Sequence, residues 1–121
     1  MLSLPPAVRI FVARGATDLR KSFDSLSVLV QDVLRQDPFS GHLFAFFNRR
    51  RDRVKLLVWD RTGFLLLYKR LEEGTFSIPG AGSTVELSVR DLLLVLEGIE
   101  LRGVQQRRRY TREVGSDGLS T

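Results

Sequence analysis

A chain of 121 residues with no cysteine and a single histidine, His42, has no disulfide framework, no thiolate nucleophile and no His-pair or Cys-ligated metal site. Its length, with 43% hydrophobic and 27% charged residues, fits one globular domain. Nineteen Lys and Arg against fourteen Asp and Glu leave a net charge of +5, and all but three of these cations are arginine. Arginine's planar fork matches phosphate and guanine edges, so the balance points to a polyanionic partner.

No basic stretch followed by an apolar run opens the chain, and apolar runs such as "LLLVL" at Leu92 to Leu96 fall far short of the ~20 residues that span a bilayer. A soluble cytoplasmic protein without membrane contact is expected. After Pro5 and Pro6, the alternating "VRIFVA" at Val8 to Ala13 predicts a strand ending at Gly15. From Ser22 onward Phe23, Leu26, Leu29, Val30, Val33 and Leu34 recur at helical spacing, which predicts an amphipathic helix of about three turns. Asp18 or Ser22 can cap it, and Asp37-Pro38 stops it.

The middle of the chain predicts strands over His42 to Asn48, Val54 to Asp60, Phe64 to Leu71 and Thr75 to Ile78. Between the second and third of these, "DRTG" suits a three-residue hairpin loop with Gly63 in the left-handed conformation. Such short connections predict antiparallel neighbours. Because Leu56 and Val58 point one way and Leu57 and Trp59 the other, the sheet needs cover on both faces. "GAGST" at Gly80 to Thr84 reads as a flexible connector, after which Ser88 caps a second helix with Asp91 in its first turn and a stripe of Leu92, Leu93, Leu96 and Ile99. The expected fold is α+β: an antiparallel meander of about four to five strands, one helix after the first strand and one C-terminal helix. It occupies residues 1–101 as one compact domain, and residues 102–121 form a basic, mobile tail.

Three stretches carry a further signal: "GATDLRKSFDSL" from Gly15, "QDPFSGHLFAFFNRRRDRVKLLVWDRTGFLLLYKRLEEGTFSIP" from Gln36, and more loosely "LLLVLEGIE" from Leu92. In this order they resemble the TnpB-type accessory proteins of the insertion sequence sixty-six group, which are distinct from the RNA-guided nuclease that shares the name. Ser22 departs from the glycine common there. The resemblance implies a bacterial protein that supports DNA transposition beside a separate transposase and a second accessory protein; it implies no catalytic activity, since strand transfer belongs to the transposase, and neither catalysis nor a cofactor is expected of this chain.

The candidate contacts are basic. Arg49, Arg50, Arg51 and Arg53 sit between two predicted strands, where a basic ribbon tip can track DNA phosphates or merely stay solvated. Lys55 extends the cluster, since it shares a strand face with Arg53. Arg20 and Lys21, near a helix start, suit either phosphate binding or a local ion pair with Asp18 and Asp24. Arg107, Arg108 and Arg109, with Arg112, form a basic arm that can add affinity through counterion release. Trp59 and Tyr68, on apolar strands, read as core rather than as base-stacking platforms. Asp18, Asp24, Asp37 and Asp60 each have a turn or cap role, which argues against a metal-dependent nuclease. The remaining rival is an adaptor that recruits transposase without touching DNA.

Overall fold

The computed structural model describes residues 7–99. In chain order it contains β1 (Ile10–Ala13), α1 (Phe23–Asp32), β2 (Leu43–Phe47), β3 (Arg53–Asp60), β4 (Gly63–Arg70), β5 (Thr84–Leu87) and α2 (Val89–Leu96). The five strands form one sheet in the order β4-β3-β2-β1-β5. The fold is α+β as expected, but the sheet is mixed rather than an antiparallel meander. β2, β3 and β4 do follow one another through tight antiparallel turns, whereas β1 and β2 run parallel, with Ile10 opposite Leu43. The reason lies in the connection: α1 carries the chain back along the sheet, so β2 starts at the same end as β1.

Both faces of the sheet are covered at its centre, and the edge strand β4 is largely exposed. Phe11, Phe44, Phe46 and Leu57 face α1 and pack on its Leu26 and Val30, while Ile10, Val12, Ala45, Phe47 and Leu56 face the other way toward Leu92 and Val95 of α2. α1 begins at Ser22, whose extended φ of −127° places no demand for glycine there, and neither Ser22 nor Asp18 caps it through a side chain. α2 begins as read from the sequence, with the Ser88 hydroxyl accepting from the Asp91 N–H at 3.1 Å. Its inward stripe is Leu92 and Val95, so Leu93 and Ile99 are exposed, contrary to the expected stripe.

Two further expectations change. Thr75 to Ile78 forms no strand; instead Phe76 and Ile78 drop their side chains into the core under α2. The sheet edge beside β1 is taken by β5, whose first residue, Thr84, closes the stretch read as a connector. Between β3 and β4 the loop has two residues, because Asp60 pairs with Gly63, and Arg61 rather than Gly63 takes the positive φ, at 54°.

The return into β5 is anchored by Arg14, which donates to the carbonyls of Pro79 (3.1 Å) and Gly82 (2.8 Å). Gly80 sits in this return at φ +94°, where an added Cβ would lie 2.8 Å from Val85 Cγ2. Gly82, at φ +82°, has open space around it. Gly80→Ala is expected to lower stability by about 1–3 kcal/mol, and by more than Gly82→Ala, which meets only the backbone cost. Urea unfolding midpoints of the two variants check the difference.

Candidate nucleic-acid interface

The turn from β2 to β3 is organised by Asn48. Its side-chain oxygen accepts from the N–H groups of Asp52 (3.1 Å) and Arg53 (3.0 Å), and its amide donates to the Asp52 carboxylate at 2.6 Å. That last bond, helped by the charges of Arg50 and Arg53, holds the Asp52 carboxyl below its usual range. Arg51 takes a φ of +58°, and its N–H closes the turn on the Asn48 carbonyl at 3.1 Å. The turn is also tied to the chain that follows β4: the Leu71 N–H donates to the Asp52 carbonyl at 2.8 Å and the Phe76 N–H to the Arg51 carbonyl at 2.6 Å.

This scaffold divides the cations into those it uses and those it leaves to solvent. The Arg51 guanidinium turns inward and donates to the Arg14 carbonyl at 3.1 Å. Lys55 is buried, with 8% of its surface exposed; its ammonium donates to the Lys21 carbonyl at 2.8 Å and lies 5.1 Å from the Tyr68 ring centroid. Arg49 and Arg50 stand exposed and make no side-chain hydrogen bond among the described residues. Arg53 is exposed and donates to the Tyr68 hydroxyl at 3.3 Å, and Arg70, opposite it on β4, pairs with Glu72 at 3.0 Å.

The loop after β1 joins the same end of the sheet, since the Thr17 N–H donates to the Phe47 carbonyl at 2.8 Å. There Arg20 grips the Asp18 carboxylate with its guanidinium, the shortest contact being 2.7 Å, and adds a backbone N–H at 3.0 Å. The side-chain bond to Arg20, followed by the backbone bond, lowers the Asp18 pKa to about 2. Lys21 beside it is exposed. Basic side chains thus gather where β1 and β2 end, β3 begins and α1 starts.

Of the four carboxylates weighed as a metal site, those of Asp18 and Asp37 are engaged locally, and those of Asp24 and Asp60 are exposed. Asp18 holds Arg20, Asp37 accepts from the Phe39 N–H at 2.9 Å, and Asp60 opens the β3–β4 turn. Among the described residues no group of three or more His, Cys, Asp or Glu is arranged to hold a metal ion. No helix among them is long and apolar enough to cross a membrane.

The family model of IS66 Orf2 like proteins matches residues 8–106, which span every element described above. The chain belongs to the IS66 Orf2-like family. Two relatives from Sinorhizobium fredii (strain NBRC 101917 / NGR234) are similar over nearly their whole length. Uncharacterized protein y4hO is 38% identical over 113 residues, which cover 93% of this chain and 98% of the relative. Uncharacterized protein y4jC is 31% identical over 108 residues, covering 88% and 92% respectively. No solved structure matches the chain significantly. Membership makes this a transposition-associated accessory protein.

In this IS66 Orf2-like fold, Arg20, Lys21, Arg49, Arg50, Arg51, Arg53 and Lys55 all lie at one end of the sheet, although Arg51 and Lys55 serve the scaffold. Arg107, Arg108 and Arg109 fall outside the described residues. Trp59 is part-buried and meets Phe39 and Phe64 edge-on, each at 5.1 Å, in line with a packing role. Tyr68 is different: the expected core residue is 55% exposed and stands within the basic cluster.

The Asp18–Arg20 pair supplies a test of this geometry. A depressed carboxyl favours the folded state above the ordinary carboxylate range and loses that advantage as pH falls toward 2. An NMR titration of Asp18 is expected to show a midpoint near 2, and Arg20→Ala to return it toward the ordinary aspartate value.

Proposed function

We propose that this IS66 Orf2-like protein is a non-catalytic accessory of transposition that binds DNA through its basic end. The observation that carries this reading is the exposure of Lys21, Arg49, Arg50, Arg53 and Arg70 together at one end of the sheet, beyond the needs of the turn that holds them. Arginines at such a surface neutralise phosphates and release counterions, so affinity falls as salt rises. The transposase and the second accessory protein of the element are the proposed protein partners, and the cytoplasm is the proposed compartment.

The test is a titration of labelled duplex, with and without transposon-end sequence, at several salt concentrations. Arg49, Arg50 and Arg53 are changed to Ala, and Arg51 is left because the turn requires it. Wild type is expected to show a steep log–log salt dependence, and the triple variant a slope shallower by about 2 to 3 phosphate contacts. Equally poor binding by both proteins at low salt overturns the reading in favour of an adaptor that never touches DNA.

A further inference from the structure

Tyr68 is an aromatic ring where the sheet has no use for one. β3 and β4 each run eight residues, about 27 Å, whereas the ten residues of α1 cover about 15 Å. The cover is placed toward the far end of the ribbon: Phe64 and Leu66 pack with α1, and Phe39 closes over Trp59 and Phe64 at ring distances of 5.1 and 5.4 Å. Tyr68 and Arg70 continue the same strand face beyond that cover, opposite Lys55 and Arg53. The ring is nonetheless held, its hydroxyl by Arg53 at 3.3 Å and its π-system by the Lys55 ammonium at 5.1 Å. It borders an open depression shared with Arg53, Arg70 and Glu72.

We propose that Tyr68 is a stacking platform for an unpaired DNA base, so that the basic end takes single-stranded DNA. The inference rests on the reading of that end as a DNA-binding surface and names the form of DNA it selects. A ring that stands on a sheet meets base faces only where bases are unstacked, since a duplex presents edges and backbone. Fixing the ring in advance lowers the ordering cost of stacking. Arg53 and Arg70, paired across the strands, stand side by side one step beyond the ring toward the basic end, where they meet the phosphates next to a stacked base. A protein contact, the other use of an exposed aromatic, would need an acidic partner surface beside these cations and is the alternative that the experiment separates. Glu72, paired with Arg70, is the one acidic side chain lining the depression, and it works against a polyanion.

The experiment compares a labelled oligothymidine strand with a duplex of equal length, at low salt, by fluorescence anisotropy on the full chain. Tyr68→Ala is expected to weaken single-strand binding ~5- to 150-fold while leaving duplex binding unchanged. Tyr68→Phe keeps the ring and loses only the bond to Arg53, so it retains single-strand affinity; Glu72→Gln tightens binding. Circular dichroism confirms that the exposed substitutions leave the fold intact. If Tyr68→Ala binds the single strand as wild type does, while duplex binding stays salt-dependent, the stacking platform is overturned and the basic DNA surface stands. If wild type binds neither form at low salt, both readings fall.

Discussion

The structure depends on β2. All five of its residues, Leu43 to Phe47, are buried, with Phe44 and Phe46 facing α1 and Leu43, Ala45 and Phe47 facing α2. A strand apolar on both faces has no solvent side, so a helix must lie on each. Its neighbours inherit the constraint: β1 on one side and β3 on the other are buried over most of their length, and the edges fall to β4 and β5. Charge is thereby excluded from the centre of the sheet and pressed to its ends and edges. The one ammonium that enters, that of Lys55, does so beside the start of α1, where the Lys21 carbonyl receives it.

The turn after β2 shows how the scaffold and the candidate interface share residues. Arginines are dense there, yet the backbone is set by Asn48, which satisfies two N–H groups and braces Asp52. Arg51 bears the left-handed conformation and returns its guanidinium to the loop after β1. What remains outward, Arg49, Arg50 and Arg53, projects from a turn tied at several points to neighbouring chain. A turn backbone fixed in advance removes that part of the ordering cost of binding, while the side chains themselves stay free to adapt.

Much of this was legible from residue pattern alone. The amphipathic spacing of α1, the Ser88 cap of α2, the need for cover on both sheet faces and the turn role of Asp60 all follow from local chemistry, and local chemistry decides them. Pairing partners are a different matter. The helix between the first two strands already implied a crossover, and thus a parallel β1–β2 pair, yet short turns elsewhere favoured a uniform meander. Phe76 and Ile78 show the alternation of a strand because one side of their segment is buried, and burial does not reveal whether a neighbour supplies hydrogen bonds. An aromatic beside Leu65 to Leu67 reads as core, but the register of β4 on β3 decides which face it takes. A three-residue β3–β4 connection would pair Asp60 with Phe64 and set Tyr68 opposite Leu56, on the core face; the two-residue loop pairs Asp60 with Gly63 and sets it opposite Lys55.

Gathering cations at one end has a cost that the free protein meets locally. Asp18 holds Arg20, Asn48 braces Asp52 among the arginines, and Glu72 holds Arg70. Each pair is exposed or part-exposed, so salt and solvent limit its worth. Lys21 sits just before α1, where the helix dipole already presents positive charge, and like charge at that position is unfavourable by ~0.3–1 kcal/mol. Local pairs therefore offset some of the repulsion, and Lys21, Arg49 and Arg50 are left without a hydrogen-bonded acidic partner among the described residues. A bound anion relieves that repulsion in the same step that it gains contacts, and screening by salt weakens both terms together. The repulsion among these cations and the salt dependence proposed for DNA binding accordingly have one origin, in the way a doubly buried strand leaves charge only the ends and edges of the sheet.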